Sequence, residues 1–190
     1  KSACVTGASR GIGAAIARRF VEAGVRRLFL VARPSDAFDA TMDGLTASAS
    51  PGQVLTRIDA DLSQSADVFR TAETIAAQGG ADVLVNNAGF TAPNSIFEAS
   101  FAELEKTISV NLFAPFILIQ DLLRRGNRFS HIVNIASTAG ITGRAHTAVP
   151  LDRLTALNQS LLKLPEGFAV RGFTPDDIDG LDPEPITTAR

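Results

Sequence analysis

The sequence predicts an α/β fold, a doubly wound parallel β-sheet with helices on both faces in three α/β/α layers. Three observations point there. Short apolar runs alternate with longer stretches of helical period through most of the chain. Several of those runs are apolar at consecutive positions, as strands are when helices cover both faces of a sheet. A glycine cluster, TGASRGIG at 6–13, lies where the first run gives way to the first helical stretch.

In chain order, the strands are read as ACVT (3–6), LFLVA (28–32), VLTRIDA (54–60), DVLVNN (82–87) and HIVNIAS (131–137). After the first, Ile12, Ile16 and Phe20 recur at i, i+4 and i+8 and predict the buried face of a helix. The stretch 36–49 has a weaker helical pattern, diluted by Ser, Thr and Gly, and Asp36 is expected to cap it. Ser65 to Gln78 predicts a further helix with Val68, Ala72, Ile75 and Ala76 on one stripe. Ser100 followed by Glu103 has the form of a capping box and opens a long helix to about Arg125. Inside that helix, Pro115 can offer no N–H to the carbonyl of Asn111, and its ring crowds the same oxygen. A kink is expected there, with the Asn111 carbonyl left for another donor.

Composition narrows the function classes. With 190 residues, 45% apolar and 20% charged, the chain suits one domain with a single substantial core. A net charge of −2 gives no electrostatic ground for binding nucleic acid or an anionic membrane. The densest apolar run, LFAPFILI at 112–119, is far short of the ~20 residues of a membrane-spanning helix. The first residues lack the apolar core of a signal peptide, and the lone Cys4 rules out an internal disulfide. A reducing, cytoplasmic setting is therefore expected. His131 and His146 have no partners at ligand spacing, so no metal site is expected.

Within TGASRGIG, Gly7, Gly11 and Gly13 stand at G-x-x-x-G-x-G. Glycines there let the chain turn sharply and let a pyrophosphate approach the free N–H groups of a helix N-terminus. This motif is followed by DADL (59–62), NNAG (86–89), VNLFAPF (110–116) and IVNIAST (132–138). In that order and spacing, from residue 2 to about 140, the chain resembles the short-chain dehydrogenases/reductases. The resemblance implies a Rossmann-like sheet binding NAD or NADP at its carboxyl edge, in one dinucleotide-binding and catalytic domain over 1–190. It assigns the cofactor to Gly7, Ser9, Arg10, Gly11, Ile12 and Gly13. Asp61 and Leu62 fall at the adenine, as acceptor for the exocyclic amine and apolar contact for the ring. Asn87, Ala88 and Gly89 fall at the adenosine ribose.

Charge argues which dinucleotide. Arg33 ends the second strand where an NAD-type site would carry an acidic residue, and Arg10 projects from the glycine loop toward the same corner. Two guanidinium groups suit a 2′-phosphate, so NADP(H) is expected over NAD(H).

For catalysis, the resemblance assigns Ser137 to the substrate carbonyl and Asn111 to a water that links a catalytic lysine to solvent. The family's Tyr-x-x-x-Lys is not matched: the chain has no tyrosine, and the corresponding positions hold Pro150 and Leu154. Yet HTAV (146–149) resembles the segment after that lysine. The stretch 151–175 resembles the helix and sixth strand beyond it, with Asp176 where the family usually has glycine. We therefore expect further residues of the family pattern, the Tyr-x-x-x-Lys among them, to belong near 145–150, and its final strand to lie beyond Arg190. The resulting expectation is hydride transfer between NADP(H) and a small-molecule carbonyl or secondary alcohol, by a homo-oligomer (dimer or tetramer). The alternative is a catalytically inactive NADP(H)-binding protein with a regulatory or scaffold role.

Overall fold

Five strands form in the computed structural model, which describes residues 1–92, 94 and 97–136. They are β1 Ser2–Thr6, β2 Arg27–Ala32, β3 Val54–Asp59, β4 Val83–Asn86 and β5 His131–Asn134. All pair in parallel, in the order β3-β2-β1-β4-β5. The chain thus steps outward from β1 to β3, then crosses back to the other side of β1. At that reversal the connections after β1 and β4 leave in opposite directions, which opens a crevice at the carboxyl ends of the strands.

Alternation along each strand builds two cores, because successive side chains point to opposite faces. Ala3, Val5, Leu28, Leu30 and Val85 face helices α1 (Gly11–Glu22) and α2 (Asp36–Ser48), meeting Ala17, Val21, Phe38 and Leu45. Cys4, Phe29, Val31, Leu84 and Ile132 face α3 (Ser65–Ala77) and α5 (Ala114–Arg124), meeting Val68, Ile75, Leu118 and Leu122. Both sets are apolar, which is why the strands read as unbroken apolar runs. Cys4 is one of these packed side chains, and burial pushes its thiol up to about 12, so it stays an unreactive core group.

The helices depart from expectation in instructive ways. The buried line of α1 is Gly13, Ala17 and Val21, one position along from the predicted one. Ile12 is 60% exposed, while Ile16 and Phe20 pack at the margin of the core. Gly13 can face inward because α1 lies too close to the loop before it for any side chain there. At the start of α2 the cap is Ser35, not Asp36: the Ser35 hydroxyl oxygen accepts from the Phe38 N–H at 3.2 Å. The helix forms despite its weak pattern because Phe38 and Leu45 are buried, and tertiary packing outweighs propensity.

The capping box at Ser100 is present, with Glu103 and Ser100 bonded reciprocally. It starts α4 (Phe101–Ile108), which runs through a π-helical segment, Ser109–Phe113, into α5. The expected irregularity is therefore a π segment that begins before Pro115, with the Ala114 N–H donating to the Ser109 carbonyl. Phe101–Arg124 as a whole is long and apolar enough to cross a membrane by length and composition. Its Leu118, Ile119 and Leu122 nevertheless pack against the sheet and α3, the place of a core helix.

Candidate cofactor site at the carboxyl edge of the sheet

The glycine loop between β1 and α1 is shaped by contacts that only glycine permits. Gly7 sits at φ +66°, and a Cβ there would lie 2.8 Å from the Ala88 Cα. At Gly13 a Cβ would lie 2.2 Å from the Gly7 carbonyl oxygen and 2.5 Å from Asn87 Nδ2. The loop, the first turn of α1 and the segment after β4 are thus in direct backbone contact. Gly11 differs: its φ is +58°, but the space beside it is clear to 4 Å.

Thr6 and Asn87 lock these segments together. The Thr6 hydroxyl donates to the Val85 carbonyl at 3.3 Å and accepts from the N–H groups of Asn87 and Ala88, both at 3.0 Å. In return Asn87 Nδ2 donates to the carbonyls of Thr6 (2.9 Å) and Gly7 (3.2 Å). One buried hydroxyl and one amide therefore set the spacing of the two loops that flank the crevice. Asn87, expected at the ribose, thus also ties the two loops, and Thr6 joins the site residues beyond those expected from sequence. The signal was there, in a polar residue ending an otherwise apolar strand.

A cavity of about 650 Å³ opens beside this latch. The glycine loop contributes Gly7, Ser9, Arg10, Gly11, Ile12 and Gly13, and the β4 loop contributes Asn87, Ala88 and Gly89. The third wall is Arg33 with Ala32, Pro34, Ser35 and Ala37 from the β2–α2 turn. Both arginines are exposed, and neither makes an ion pair among the described residues. Arg57 is a contrast, since Asp39 and Asp59 both hold it against the Phe38 ring. The N-terminus of α1 has no side-chain cap and no acidic residue in its first turn. Its free N–H groups and positive dipole end are left for an anion.

Asp61 and Leu62 are not among the lining residues. Asp61 follows β3 and its Oδ1 accepts from the Ser63 N–H (3.0 Å) and hydroxyl (2.8 Å). Burial opposes its charge, but the two Ser63 hydrogen bonds, aided by Lys106 and Arg33, hold the carboxyl below the usual aspartate range. It remains an ionised acceptor. Leu62 is buried within the core cluster on the α3 and α5 side of the sheet.

Asn111 lies in the π segment, and its side chain grips the β4 loop, beyond the role expected of its carbonyl. Its Oδ1 accepts from the Phe90 N–H at 2.8 Å while its Nδ2 donates to the Phe90 carbonyl at 2.7 Å. This two-point clamp fixes the end of the β4 loop, and the Lys106 ammonium sits over the Phe90 ring, 4.8 Å from its centroid. A second amide pair, Asn86 Nδ2 to Asn134 Oδ1 at 2.8 Å, joins the ends of β4 and β5. Ser137 lies outside the described residues, as do the positions read for the missing tyrosine and lysine. Among the described residues, no group of His, Cys, Asp and Glu could hold a metal ion.

Comparison with known proteins matches this arrangement. The short chain dehydrogenase family profile covers residues 1–149. The chain is 32% identical over 189 residues to the uncharacterized oxidoreductase YxjF of Bacillus subtilis, a match covering 93% of this chain and 70% of that protein. It is 34% identical over 148 residues to the 3-oxoacyl-[acyl-carrier-protein] reductase FabG of Staphylococcus epidermidis, covering 75% of this chain and 59% of that one. These relatives extend well beyond the matched part. Among solved structures, a metagenomic short-chain oxidoreductase in complex with NADP superposes with a TM-score of 0.74 at 36% identity. That alignment covers 85% of this chain and 74% of the other. The doubly wound parallel sheet is thus of the Rossmann type shared with these neighbours.

Proposed function

Because the chain belongs to the short-chain dehydrogenase family, we propose that it serves an NADP(H)-dependent oxidoreductase acting on a carbonyl or secondary alcohol of a small molecule. The observation that carries the cofactor choice is the pair of guanidinium groups, Arg10 and Arg33, on two walls of one cavity and without an ion pair among the described residues. Each can grip a 2′-phosphate by bidentate, charge-assisted hydrogen bonds, which an NAD-type ribose does not offer. The site fits the rest of a dinucleotide too. The clear space beside Gly11 and the uncapped end of α1 suit a pyrophosphate, and Asp61, outside the cavity's lining, is an ionised acceptor of the kind an exocyclic amine takes.

When bound, NADP(H) would supply the hydride. The chain's own residues then hold and orient it: the glycine loop at the pyrophosphate, Asn87 to Gly89 at the ribose, and Arg10 and Arg33 at the phosphate. Ser137 is assigned the substrate carbonyl oxygen, where a hydroxyl donor stabilises developing negative charge. Asn111 holds the β4 loop through Phe90, and the π segment around it supports the expected role of its carbonyl toward a water. No residue here is assigned the proton transfer, since the chain contains no tyrosine. The FabG likeness supports a 3-oxoacyl compound as one substrate class to try first. A cytoplasmic homo-oligomer belongs to the same proposal; Phe101 and Phe113, 72% and 52% exposed along one helix, support its oligomeric part alone.

The absence of tyrosine favours a second reading, a protein that binds NADP(H) without turnover. Following NADPH absorbance with a 3-oxoacyl thioester and a panel of ketones separates the two. Substrate-dependent oxidation supports the enzyme. Tight NADPH binding with no oxidation on any of them replaces it with the binding protein.

A further inference from the structure

The corner formed by Arg10 and Arg33 is built from two separate elements, the glycine loop and the β2–α2 turn. Backbone ties them only at the base, where the Ala8 N–H donates to the Val31 carbonyl at 3.2 Å. Nearer the mouth, one side-chain hydrogen bond spans the gap among the described residues: the Thr41 hydroxyl of α2 donates to the Ser9 carbonyl at 2.8 Å. A threonine inside a helix ordinarily turns its hydroxyl back to the carbonyl four residues earlier. Thr71, Thr74 and Thr107 all do so, bonding the carbonyls of Asp67, Arg70 and Glu103. Thr41 instead reaches out of its helix to the loop.

The bond acts where direction matters. The Ser9–Arg10 peptide is trans and planar, so pinning the Ser9 carbonyl fixes the plane from which Arg10 departs. Arg10 is extended there (φ −164°, ψ 175°) and is followed by Gly11 at φ +58°, so the chain changes direction sharply next to the pinned peptide. On the opposite wall, Ser35 caps the same α2 that carries Thr41, and Arg33 stands two residues before it. Helix α2 is therefore a rigid arm between the two guanidinium groups. We propose that Thr41 is a positioning residue for NADP(H) selectivity, its hydroxyl setting the approach of Arg10 to the Arg33–Ser35 wall so that both cations converge on one phosphate. This rests on reading the cavity as an NADP(H) site.

The test uses the full chain and two small ligands that differ by the phosphate alone, 2′,5′-ADP and 5′-AMP, titrated by calorimetry. Thr41→Val keeps the side-chain shape and removes the hydroxyl. It should weaken 2′,5′-ADP by about threefold to tenfold, the range of one lost hydrogen bond, while 5′-AMP changes by less than about twofold. Thr41→Ser should restore 2′,5′-ADP binding, and Thr41→Ala offers a second deletion should the valine variant fold poorly. Equal weakening of both ligands would reduce Thr41 to a general structural role, and unchanged affinity for both would also overturn the proposal. Arg33→Ala, run in parallel, separates the two levels. If it leaves the preference for 2′,5′-ADP intact, the cofactor reading itself fails. If it abolishes that preference while the Thr41 variants match the parent, only the positioning role falls.

Discussion

Gly13→Ala isolates the contact on which the site's architecture depends. The new methyl would stand 2.2 Å from the Gly7 carbonyl oxygen and 2.5 Å from Asn87 Nδ2, neither of which is the free end of a long side chain. Relief requires α1 and the glycine loop to separate by about 1 Å, a shift of the kind that overpacking imposes at about 1–3 kcal/mol. Separation also strains the Asn87 hydrogen bonds to Thr6 and Gly7, each worth about 0.5–1.5 kcal/mol. Against this, alanine gains about 1 kcal/mol of helix propensity inside α1. The net expectation is a loss of about 1–3 kcal/mol in urea unfolding. NADPH affinity should fall together with stability, because the same movement displaces the cavity wall. Gly44→Ala is the matched control: it lies within α2 with nothing within 4 Å of its Cβ position and no positive φ. It should gain about 0.5–1 kcal/mol and leave NADPH binding unchanged. If Gly13→Ala behaves like Gly44→Ala in both measurements, the close approach of α1 to the loop does not shape the site.

Thr6→Val removes the hydroxyl that receives two half-buried N–H groups, and a donor left without a partner costs about 1–3 kcal/mol when buried. Urea unfolding should show a loss in that range or above, and a loss under about 0.5 kcal/mol would mean that the latch is dispensable. Acid stability tests the other end of the sheet. The Asp82 carboxyl is held below its ordinary range by the Ser2 N–H first, against the cost of burial, with the Ser2 hydroxyl helping. A folded pKa below the unfolded one adds stability that is present above the unfolded value, about 3.9, and is lost as pH falls through the folded one. The unfolding midpoint should thus be flat from about pH 7 to 5 and decline below about 4, less steeply in Asp82→Asn. Parallel declines in the two proteins would remove Asp82 as a contributor.

The sheet was legible because its cause is local. Leu28, Phe29, Leu30 and Val31 in succession suit a short strand covered on both faces, and the two cores divide them alternately. Of the candidate site, the three walls of the cavity were visible as motifs. What escaped depends on approach distances between segments. No periodicity of Ile12, Ile16 and Phe20 could show that Gly13 faces inward in line with Ala17 and Val21, since at Gly13 α1 lies against the Gly7 carbonyl. The exchange of Asp36 for Ser35 as cap turns on one residue of backbone geometry, where both side chains were competent. Pro115 announced an irregular helix but not its form, because a missing N–H can be met by a kink or by widening to a π segment upstream. The Thr6, Asn87 and Asn111 side chains bond backbone groups of other segments, so their partners emerge only once the chain has folded.

The proposed role of Arg10 and Arg33 in selecting NADP(H) is tested most directly by comparing dissociation constants for NADPH and NADH. The parent chain should bind NADPH more tightly by a factor of about 10 to 100, the worth of charge-assisted hydrogen bonds to one phosphate. Arg10→Ala combined with Arg33→Ala should bring the two constants together by weakening NADPH alone. Equal constants in the parent chain, or a preference that survives the double substitution, would contradict it.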